Sequence, residues 1–566
     1  MTTVPAATLS EDLQIWRPRM AGSFMRKSAL LFRALKIAIF VSSILFQLTS
    51  TEAFAVDIRV PQDVPSISDA ISLATEGDEI IVAPGDWPAP IDFMGKNISL
   101  RSSEGPEVTH LVGNGSDSVV RFNSGEISSA LLEGFTIRAG GGTLTPSGLR
   151  GGGVLILNSA PTIRNCVIEN NSAASGGGIH VEGPTPGSVV LDSLILTDNF
   201  AADSGGAIGL ENSAEVSLVD CHIENNLAVV VSGAILCEQS TLQVSNTAFV
   251  GNASNLAVGG VWIYLGSEAQ IDNCTFATNN APISGGAVVI SDQARATIEN
   301  SVFHGNMGGS SGGAILIDSG LTQESQVIRG CLFYDNFAAN AGAHLAVSFN
   351  PISLLLEKCT FGLPTANSAA SISINNSGVN AILLDSSIVL AGSAGAIEAI
   401  PGSTLVSYSC VEGLASSSVN AIDSIDEDPL FTDLANGVYT LEPGSPCLNS
   451  GNPLLPFDGD GTVTDMGALG LVPLPAPQFR RGDVDGSGSA NIADGIQILG
   501  WLFVPGSLAP LCEDSADCND DGALNVSDAI TLLDALFVSG APLPIPYLEC
   551  GSDSTSDSLS CISDCF

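Results

Sequence analysis

A block of about 27 residues recurs through the middle of the chain and constrains its fold more than any other feature. Each block opens with small residues followed by an apolar one, at Gly151, Gly176, Gly205, Ser232, Gly259, Gly285, Gly312 and Ala341. A second column closes the blocks, at Asn171, Asn199, Asn226, Asn252, Asn279, Asn306 and Asn336. Because two independent columns keep one period, the chain is predicted to repeat one structural unit.

Within a block the apolar residues alternate, as Ile315 and Ile317 do around Leu316. Short runs with a period of two, broken by Asn and Gly, indicate strands. Strands this short cannot bury a face alone, whereas coils stacked about 4.8 Å apart enclose a shared core. The sequence therefore predicts a mostly β protein built as a parallel β-helix solenoid. The Asn column is predicted to form a structural ladder that hydrogen-bonds from coil to coil at each tight turn.

The chain is strongly acidic, with 60 Asp and Glu against 18 Lys and Arg and a net charge of −42. Such a charge excludes nucleic acid and anionic membrane surfaces as partners, because both carry the same sign. Cations and uncharged partners remain compatible with it. Apolar residues make up 45% of the chain, which is enough to build a core.

Residues 1–55 read as an N-terminal extension and signal peptide. Met25-Arg26-Lys27 opens a basic stretch, an apolar run follows at 37–48, and Ala53-Phe54-Ala55 is a small-x-small cleavage site. A membrane anchor is the alternative, but an apolar run this short does not span a bilayer comfortably. We therefore expect a secreted or cell-surface protein without a transmembrane anchor after signal cleavage.

The segment 56–472 is assigned to the β-helix, with a cap helix near 64–75. Its opening, VPQDVPSISDAISLATEGDEIIVAPGDW, and its end, DEDPLFTD through DMGALG, resemble secreted right-handed β-helix proteins of the pectin-lyase-like superfold. The resemblance covers roughly 57–470. It implies a right-handed coil and an extracellular role linked to polysaccharides, and it is weak for any particular activity.

A Pro-rich linker at 473–479 leads to a module at 480–540 with two calcium loops, and a Cys-containing tail follows at 541–566. Both loops place oxygen ligands at the EF-hand spacing, with Gly at position 6 and a backbone carbonyl at position 7. Each runs into an amphipathic helix, predicted at 494–504 and 528–538. The predicted ligands are Asp483, Asp485, Ser487, Ser489, Asn491 and Asp494, and Asp517, Asn519, Asp521, Ala523, Asn525 and Asp528. Two calcium ions are expected, and loop 2 should bind more tightly because Ser487 replaces a carboxylate in loop 1.

The paired loops end in Asp and not Glu at position 12, as in type I dockerin domains, which the module resembles. That resemblance implies a cohesin-like partner, bound through positions such as Ile492-Ala493 and Val526-Ser527. These dipeptides differ between the halves, so the partner rests on the resemblance alone.

Four of the thirteen cysteines, Cys166, Cys221, Cys274 and Cys331, share one column in alternate coils and are predicted to be small buried core residues, while Cys237, Cys410 and Cys447 have no obvious partner. Coils two apart are separated by about 9.6 Å, too far for a disulfide, although Cys359 follows Cys331 by one coil. The five cysteines from Cys512 onward are expected to form two disulfides and leave one cysteine unpaired. A Cys512–Cys518 disulfide is one of the possible pairings.

No catalytic constellation stands out along the repeat. The outward position of the Gly-Gly strand is expected to hold Leu155, His180, Gly209, Leu236, Ile263, Val289, Leu316 and Leu345, which is nearly all apolar. We therefore expect an extracellular glycan- or surface-binding rod with a docking module. The alternative is a polysaccharide lyase or glycoside hydrolase carried by that module.

Overall fold

The computed structural model describes residues 56–184, 187–318, 325–348, 353–375, 382–434, 437–468, 479–484, 489–504, 510, 512–538, 542–547, 551 and 559. Over these residues the chain forms a parallel β-helix followed by a small helical module, which confirms the predicted fold class. Each coil contributes one short strand to each of three long parallel sheets, which we name sheets A, B and C in the order in which a coil visits them.

Sheet A is fully parallel, and its inward column is aliphatic from Ile80 to Val406. Its strands are Asp57–Val60, Glu79–Val82, Ser99–Ser102, Leu131–Glu133, Thr162–Arg164, Val189–Asp192, Glu215–Val219, Thr241–Ser245, Glu268–Asp272, Arg295–Glu299, Ser325–Arg329, Ser353–Glu357, Ile382–Asp385, Thr404–Ser407 and Asn420–Ile422.

Sheet B buries a column of stacked phenylalanine rings, whose neighbouring centroids lie 4.6 to 4.8 Å apart from Phe249 to Phe361. This spacing is that of the strands themselves, so each coil adds one ring to the stack. The strands of sheet B are Gly85–Pro88, Thr109–Val112, Thr136–Arg138, Val167–Glu169, Ile195–Thr197, His222–Glu224, Ala248–Val250, Thr275–Ala277, Val302–His304, Leu332–Tyr334, Thr360–Phe361, Ile388–Val389 and Cys410–Val411.

Sheet C follows the glycine-rich corner of each coil. Its strands are Ile91–Asp92, Val120–Phe122, Val154–Leu157, Ile179–Glu182, Ile208–Glu211, Ile235–Glu238, Val261–Tyr264, Val288–Ser291, Ile315–Asp318, Leu345–Ser348, Ile372–Asn375 and Ile397–Ala399.

A shorter sheet, D, lies at the corner between sheets B and C. It contains Thr143–Thr145, Gly148–Arg150, Ser172–Ser175, Phe200–Ser204, Leu227–Ala228, Ala253–Ser254, Asn280–Ala281 and Met307–Gly308.

The corner before sheet C has left-handed backbone in every repeat, which explains its glycines. Two predicted block starts are one residue out of register. The left-handed positions equivalent to Gly205 are Val258 (φ 65°) and Gly342 (φ 56°), and not Gly259 and Ala341. The small residues on either side allowed both registers in the sequence, and the strand pairing Ile235↔Val261 selects the observed one.

The Asn column stacks in the interior between sheets B and D. In Asn252, Oδ1 accepts hydrogen bonds from the backbone N–H (3.1 Å) and the Nδ2 (3.0 Å) of Asn226. Its own Nδ2 donates to Oδ1 of Asn279 (3.1 Å) and to the carbonyl of Ile223 in the preceding coil (2.7 Å). The same side-chain amide to Oδ1 bond links the ladder from Asn171 to Asn336.

Helix α1, Ile67–Leu73, buries Ile67, Ala70 and Ile71 against the first coils. Ser66 caps its N-terminus by accepting from the backbone N–H of Asp69 (3.1 Å). Nζ of Lys96 donates to carbonyl groups at its C-terminal end, including that of Ile71 (2.6 Å). A cation therefore satisfies the carbonyls that the helix end leaves unpaired.

The segment after the last coils packs back against the outer side of sheet B. It contains an antiparallel pair, Phe431–Asp433 with Val438–Leu441, whereas a short 3₁₀ helix, Leu414–Ser416, lies within the last coil. Tyr439 is buried with Val302 and Leu332, and the Lys358 ammonium lies 2.8 Å from Oδ1 of Asp458. This segment therefore covers the later coils of sheet B.

The helical module contains α2, Ile492–Phe503, α3, Glu513–Ala516, and α4, Val526–Phe537. Its core includes Ile498, Ala529 and Leu532. The guanidinium of Arg481 is fully buried and donates to the carbonyls of Asp514 (3.2 Å) and Asp517 (2.5 Å) and to Oδ1 of Asp520 (2.9 Å). Arg481 thus joins the start of the first half to the loop of the second.

Candidate functional site

The outward column of sheet C differs from its predicted membership at two coils. Strand pairing places Trp262 between Leu236 and Val289, and Ala346 after Leu316, so Ile263 and Leu345 point into the core. The error has the same cause as the shifted corners, because one residue of slip moves a side chain to the other face of a strand. The aliphatic members of this column are buried, so they present no broad apolar surface.

A polar cluster joins the outer face of sheet C to the neighbouring edge of sheet D, and its glutamates, Glu182 and Glu211, stand two residues beyond that column. Nη2 of Arg150 lies 3.3 Å from Oε2 of Glu211, and both side chains are nearly buried. The hydroxyl of Ser175 donates to Oε1 of Glu211 (3.2 Å). Nε2 of the fully buried His180 lies 3.7 Å from Oε2 of Glu182. These residues bring an arginine, a histidine and carboxylates together at successive coils, a grouping that the sequence did not reveal.

The carboxyl groups of this cluster have pKa values displaced in opposite directions. The interaction with His180 lowers the pKa of Glu182 below its usual range. Burial, and then the charge of Glu211, raises the pKa of Glu238. Two carboxyl groups whose environments separate their pKa values can serve as a base and an acid.

A second group of carboxylates faces outward from the early coils of sheet B. Oε2 of Glu224 lies 2.6 Å from Nε2 of His222, and Glu224 is 5% exposed. Burial raises the pKa of both Glu169 and Asp198. The positive charge of Arg138 acts in the opposite direction and lowers the pKa of Glu169.

Calcium loop 2 is described along its whole length. The carboxylate of Asp517 accepts from the backbone N–H groups of Asp521 (3.2 Å) and Gly522 (2.8 Å). Burial and the nearby Asp517 carboxylate raise the pKa of Asp528 to about 6. Two acidic side chains therefore converge, the arrangement that a bound Ca²⁺ would stabilise.

The other predicted ligands of loop 2 combine the Asp521 carboxylate with amide and carbonyl oxygens. The carboxamide of Asn519 donates to Oδ2 of Asp521 (2.9 Å), and Asn525 Nδ2 donates to the carbonyl of Ala523 (2.8 Å). Among the described residues, no three His, Cys, Asp or Glu side chains are grouped closely enough to hold a metal by themselves. A cation in this loop would therefore depend on amide and carbonyl oxygens as well as on the carboxylates of Asp517, Asp521 and Asp528.

Loop 1 matches loop 2 where it is described, while Asp485 and Ser487 lie outside the described residues. Oδ1 of Asp494 accepts from the N–H of Val484 (2.7 Å), and its Oδ2 accepts from the N–H of Asn491 (2.8 Å). Nδ2 of Asn491 donates to the carbonyl of Ser489 (3.0 Å), as Asn525 does to Ala523. Asp483 is buried at the head of the loop.

Helices α2 and α4 begin two residues before their predicted starts. Asn491 and Asn525 act as N-caps, and the position-12 aspartates close capping boxes with them. Each helix leaves an apolar stripe exposed, and each member has its equivalent 34 residues on. We name these residues the paired stripes: Ile492, Ile496, Phe503 and Val504, with Val526, Ile530, Phe537 and Val538.

The described cysteines are buried, and burial raises the pKa of Cys166, Cys221 and Cys274 to about 12, as expected for core residues. The Cys512–Cys518 alternative is wrong: Cys518 is a free thiol in the module core, whereas Cys512 is disulfide-bonded. The other tail cysteines lie outside the described residues, as does the predicted signal peptide.

Helices long and apolar enough to cross a bilayer are absent from the described part of the chain. A family model for the right-handed beta helix region matches residues 113–322, an interval that contains the sheet C cluster. Comparison with curated proteins gives no match.

Several solved structures are similar at low identity. The catalytic unit of a thermostable GH87 α-1,3-glucanase from Streptomyces thermodiastaticus is 14% identical, with a TM-score of 0.37 over 64% of this chain and 66% of that one. A PL6 family alginate lyase is 14% identical, with a TM-score of 0.39 over 76% and 60%. A pectate lyase is 13% identical, with a TM-score of 0.30 over 71% and 90%. This chain spans less than two thirds of the first two. The family model and the sheet topology together identify residues 113–322 as a right-handed parallel β-helix.

Proposed function

We propose that this is a secreted β-helix protein that engages glycans along its solenoid and carries a calcium-loaded docking module. The observation that carries the docking assignment is the internal equivalence of the module. Both halves have a capped loop and helix in the same register, and both expose the same apolar stripe. Exposed apolar side chains at matched positions are typical of a protein-binding surface and have no role in the module's own core.

Calcium would be held by Asp517, Asn519, Asp521 and Asp528, with the carbonyls of Ala523 and Ser489 contributing in their respective loops. Its role would be structural, because the cation would neutralise carboxylates that the fold brings together and so fix the start of each helix. A cohesin-like protein is the partner that the resemblance to dockerins implies, and the paired stripes are the surface that would receive it.

Isothermal titration of the full chain with Ca²⁺ tests this assignment. Two ions are expected, with the tighter site lost in Asp517→Ala and retained in Glu268→Gln, a matched change on the exposed face of sheet A. A full chain that takes up no calcium would overturn the docking proposal. A stoichiometry of two that survives Asp517→Ala would overturn the assignment of the tighter site to loop 2.

A second candidate, a glycoside hydrolase, is favoured by the separated pKa values of Glu182 and Glu238. These glutamates occupy one outward column of sheet C, with Glu211 between them. Positions two strands apart lie about 9.6 Å apart, and inverting glycosidases hold their carboxyl groups roughly 6.5–9.5 Å apart. Glu238 would then be the acid and Glu182 the base. Release of reducing ends that stops in both Glu238→Gln and Glu182→Gln would support this candidate, and no release from a broad polysaccharide panel would remove it.

A further inference from the structure

We propose that Trp262 and Tyr264 form a sugar-stacking platform for a neutral polysaccharide on the outer face of sheet C. This inference rests on the proposed glycan-engaging function and names its site and its ligand class.

The two aromatic rings are neighbours on one strand. Trp262 and Tyr264 point outward from Val261–Tyr264, on either side of the fully buried Ile263. Their ring centroids lie 4.5 Å apart with an angle of 34° between the planes. Both side chains are partly exposed, so the pair presents ring surface to solvent.

The indole ring is fixed in place before any ligand arrives. Nε1 of Trp262 donates to Oγ of Ser291 in the next coil (2.9 Å). Its inner edge packs against a buried cluster that includes Val258 and Val289. A ring held on one side by packing and at its polar end by a hydrogen bond loses little freedom on binding, which favours affinity. The apolar face of a pyranose ring is the partner that such a surface suits.

The polar surroundings of the pair select an uncharged ligand. Tyr264 pairs in register with Glu238, and the column continues from Ser291 to Asp318. Ionised carboxylates only accept hydrogen bonds, and sugar hydroxyls are donors. Arg150, whose charge acts on Glu238, is engaged with Glu211. A uronic acid chain would therefore meet like charge on a protein of net charge −42, whereas a neutral chain would not.

The column also has the direction that a polysaccharide needs. Successive coils set Glu211, Glu238, Tyr264 and Ser291 in a line parallel to the solenoid axis at about 4.8 Å intervals. A glycan lying along this line would stack on the aromatic pair and offer hydroxyls to the carboxylates on one side. The platform would also adjoin Glu238, the acid of the second candidate function.

Affinity electrophoresis of the full chain in hydroxyethyl cellulose, xyloglucan and galactomannan, with polygalacturonate and alginate as anionic probes, tests the proposal. We expect retardation by at least one neutral polymer and none by the anionic ones. Trp262→Ala and Tyr264→Ala should each weaken binding about tenfold. Trp262→Phe, which keeps a ring over the apolar cluster, should retain most of it. Phe200→Ala, at an exposed aromatic residue on sheet D, should change affinity less than twofold.

Three outcomes would overturn the inference. Binding that is unchanged in the double variant Trp262→Ala/Tyr264→Ala would move the site elsewhere and leave the glycan-engaging function intact. Preference for polygalacturonate or alginate would contradict the ligand class. Failure of the unaltered chain to bind any of the five polymers would overturn the glycan-engaging function itself, and the platform with it.

Discussion

Nδ2 of Asn336 donates a hydrogen bond of 3.1 Å to Nδ1 of His344, and this bond ends the Asn ladder. On the other side of the imidazole, Nε2 lies 3.0 Å from the carbonyl oxygen of Gly362. Because a carbonyl only accepts, Nε2 carries the hydrogen and Nδ1 keeps its lone pair. The interior thus holds His344 neutral, and its complete burial lowers its pKa to about 4.

The stability of the β-helix is expected to fall as the pH is lowered from about 6.5 to about 4. Within that window the unfolded chain binds a proton at His344 that the folded chain excludes, so protonation favours unfolding. The contribution should reach ~3 kcal/mol at the acidic end. Thermal unfolding of the wild type and of His344→Gln between pH 7 and pH 4 measures it. Identical pH dependence in the two proteins would contradict the role assigned to His344.

Removing one rung of the Asn ladder should be costly. Asn252→Ala leaves the backbone N–H of Asn226 and the carbonyl of Ile223 without this partner in a dry interior, and Oδ1 of Asn279 loses one of its two hydrogen bonds to residue 252. Unpaired buried groups cost about 1–3 kcal/mol each, so a loss on the order of 3 kcal/mol or more is expected. Denaturant unfolding measures it against Asn255→Ala, an exposed asparagine of the same coil. Equal stability of the two variants would refute the ladder's energetic role.

Removing calcium should unfold the helical module and leave the β-helix intact. The loop carboxylates repel one another without a cation, whereas the repeat contains no loop of calcium spacing. Circular dichroism with and without a chelator should therefore show a loss of helical signal at constant β-sheet signal. Asp517→Ala/Asp528→Ala, which already lacks the site in loop 2, should respond to the chelator less than the wild type. A loss of sheet signal would mean that calcium also supports the solenoid.

Arg481→Leu should destabilise the helical module by about 3–5 kcal/mol, because it removes a buried cation together with its hydrogen bonds to Asp520 and to the carbonyls of Asp514 and Asp517. Arg295→Leu provides the control, since the ion pair of Arg295 with Glu268 is more than half exposed. Proteolysis of the full chain, followed by mass spectrometry, would locate new cleavages within 480–540 for the first variant and none for the second. Equal resistance of both variants would refute the linking role of Arg481.

The repeat predicted the solenoid because its small-residue column marks one corner of each coil and its Asn column marks one rung of the ladder in each coil. It did not fix the register at Val258 and Trp262, where several small residues in a row allow a slip of one position. That slip removed Trp262 from the outward column and so hid the aromatic pair. The Glu182–Glu238 relationship lies in a different column and joins residues from separate coils, which becomes visible once the strands are paired.

In the module, the predicted oxygen ligands follow from position within the loop, since the spacing defines how such a chain wraps a cation, and they stay a prediction. The helices begin two residues earlier than predicted, because Asn491 and Asn525 are N-caps of the helices as well as residues of the loops. Arg481 lies outside the motif, and its contacts are made 33 to 39 residues away. Contacts at that separation depend on the packing of the two halves, which the loop motif does not specify.

The proposed glycan-binding function is tested most directly with a panel of polysaccharides and the protein lacking residues 1–55. Binding and product release are measured together, with and without a chelator. We expect saturable binding of a neutral polysaccharide without new reducing ends or unsaturated products. The chelator should leave this binding unchanged. Absence of binding across the panel would contradict the proposed glycan-binding function. Release of products would instead support the second candidate, a glycoside hydrolase.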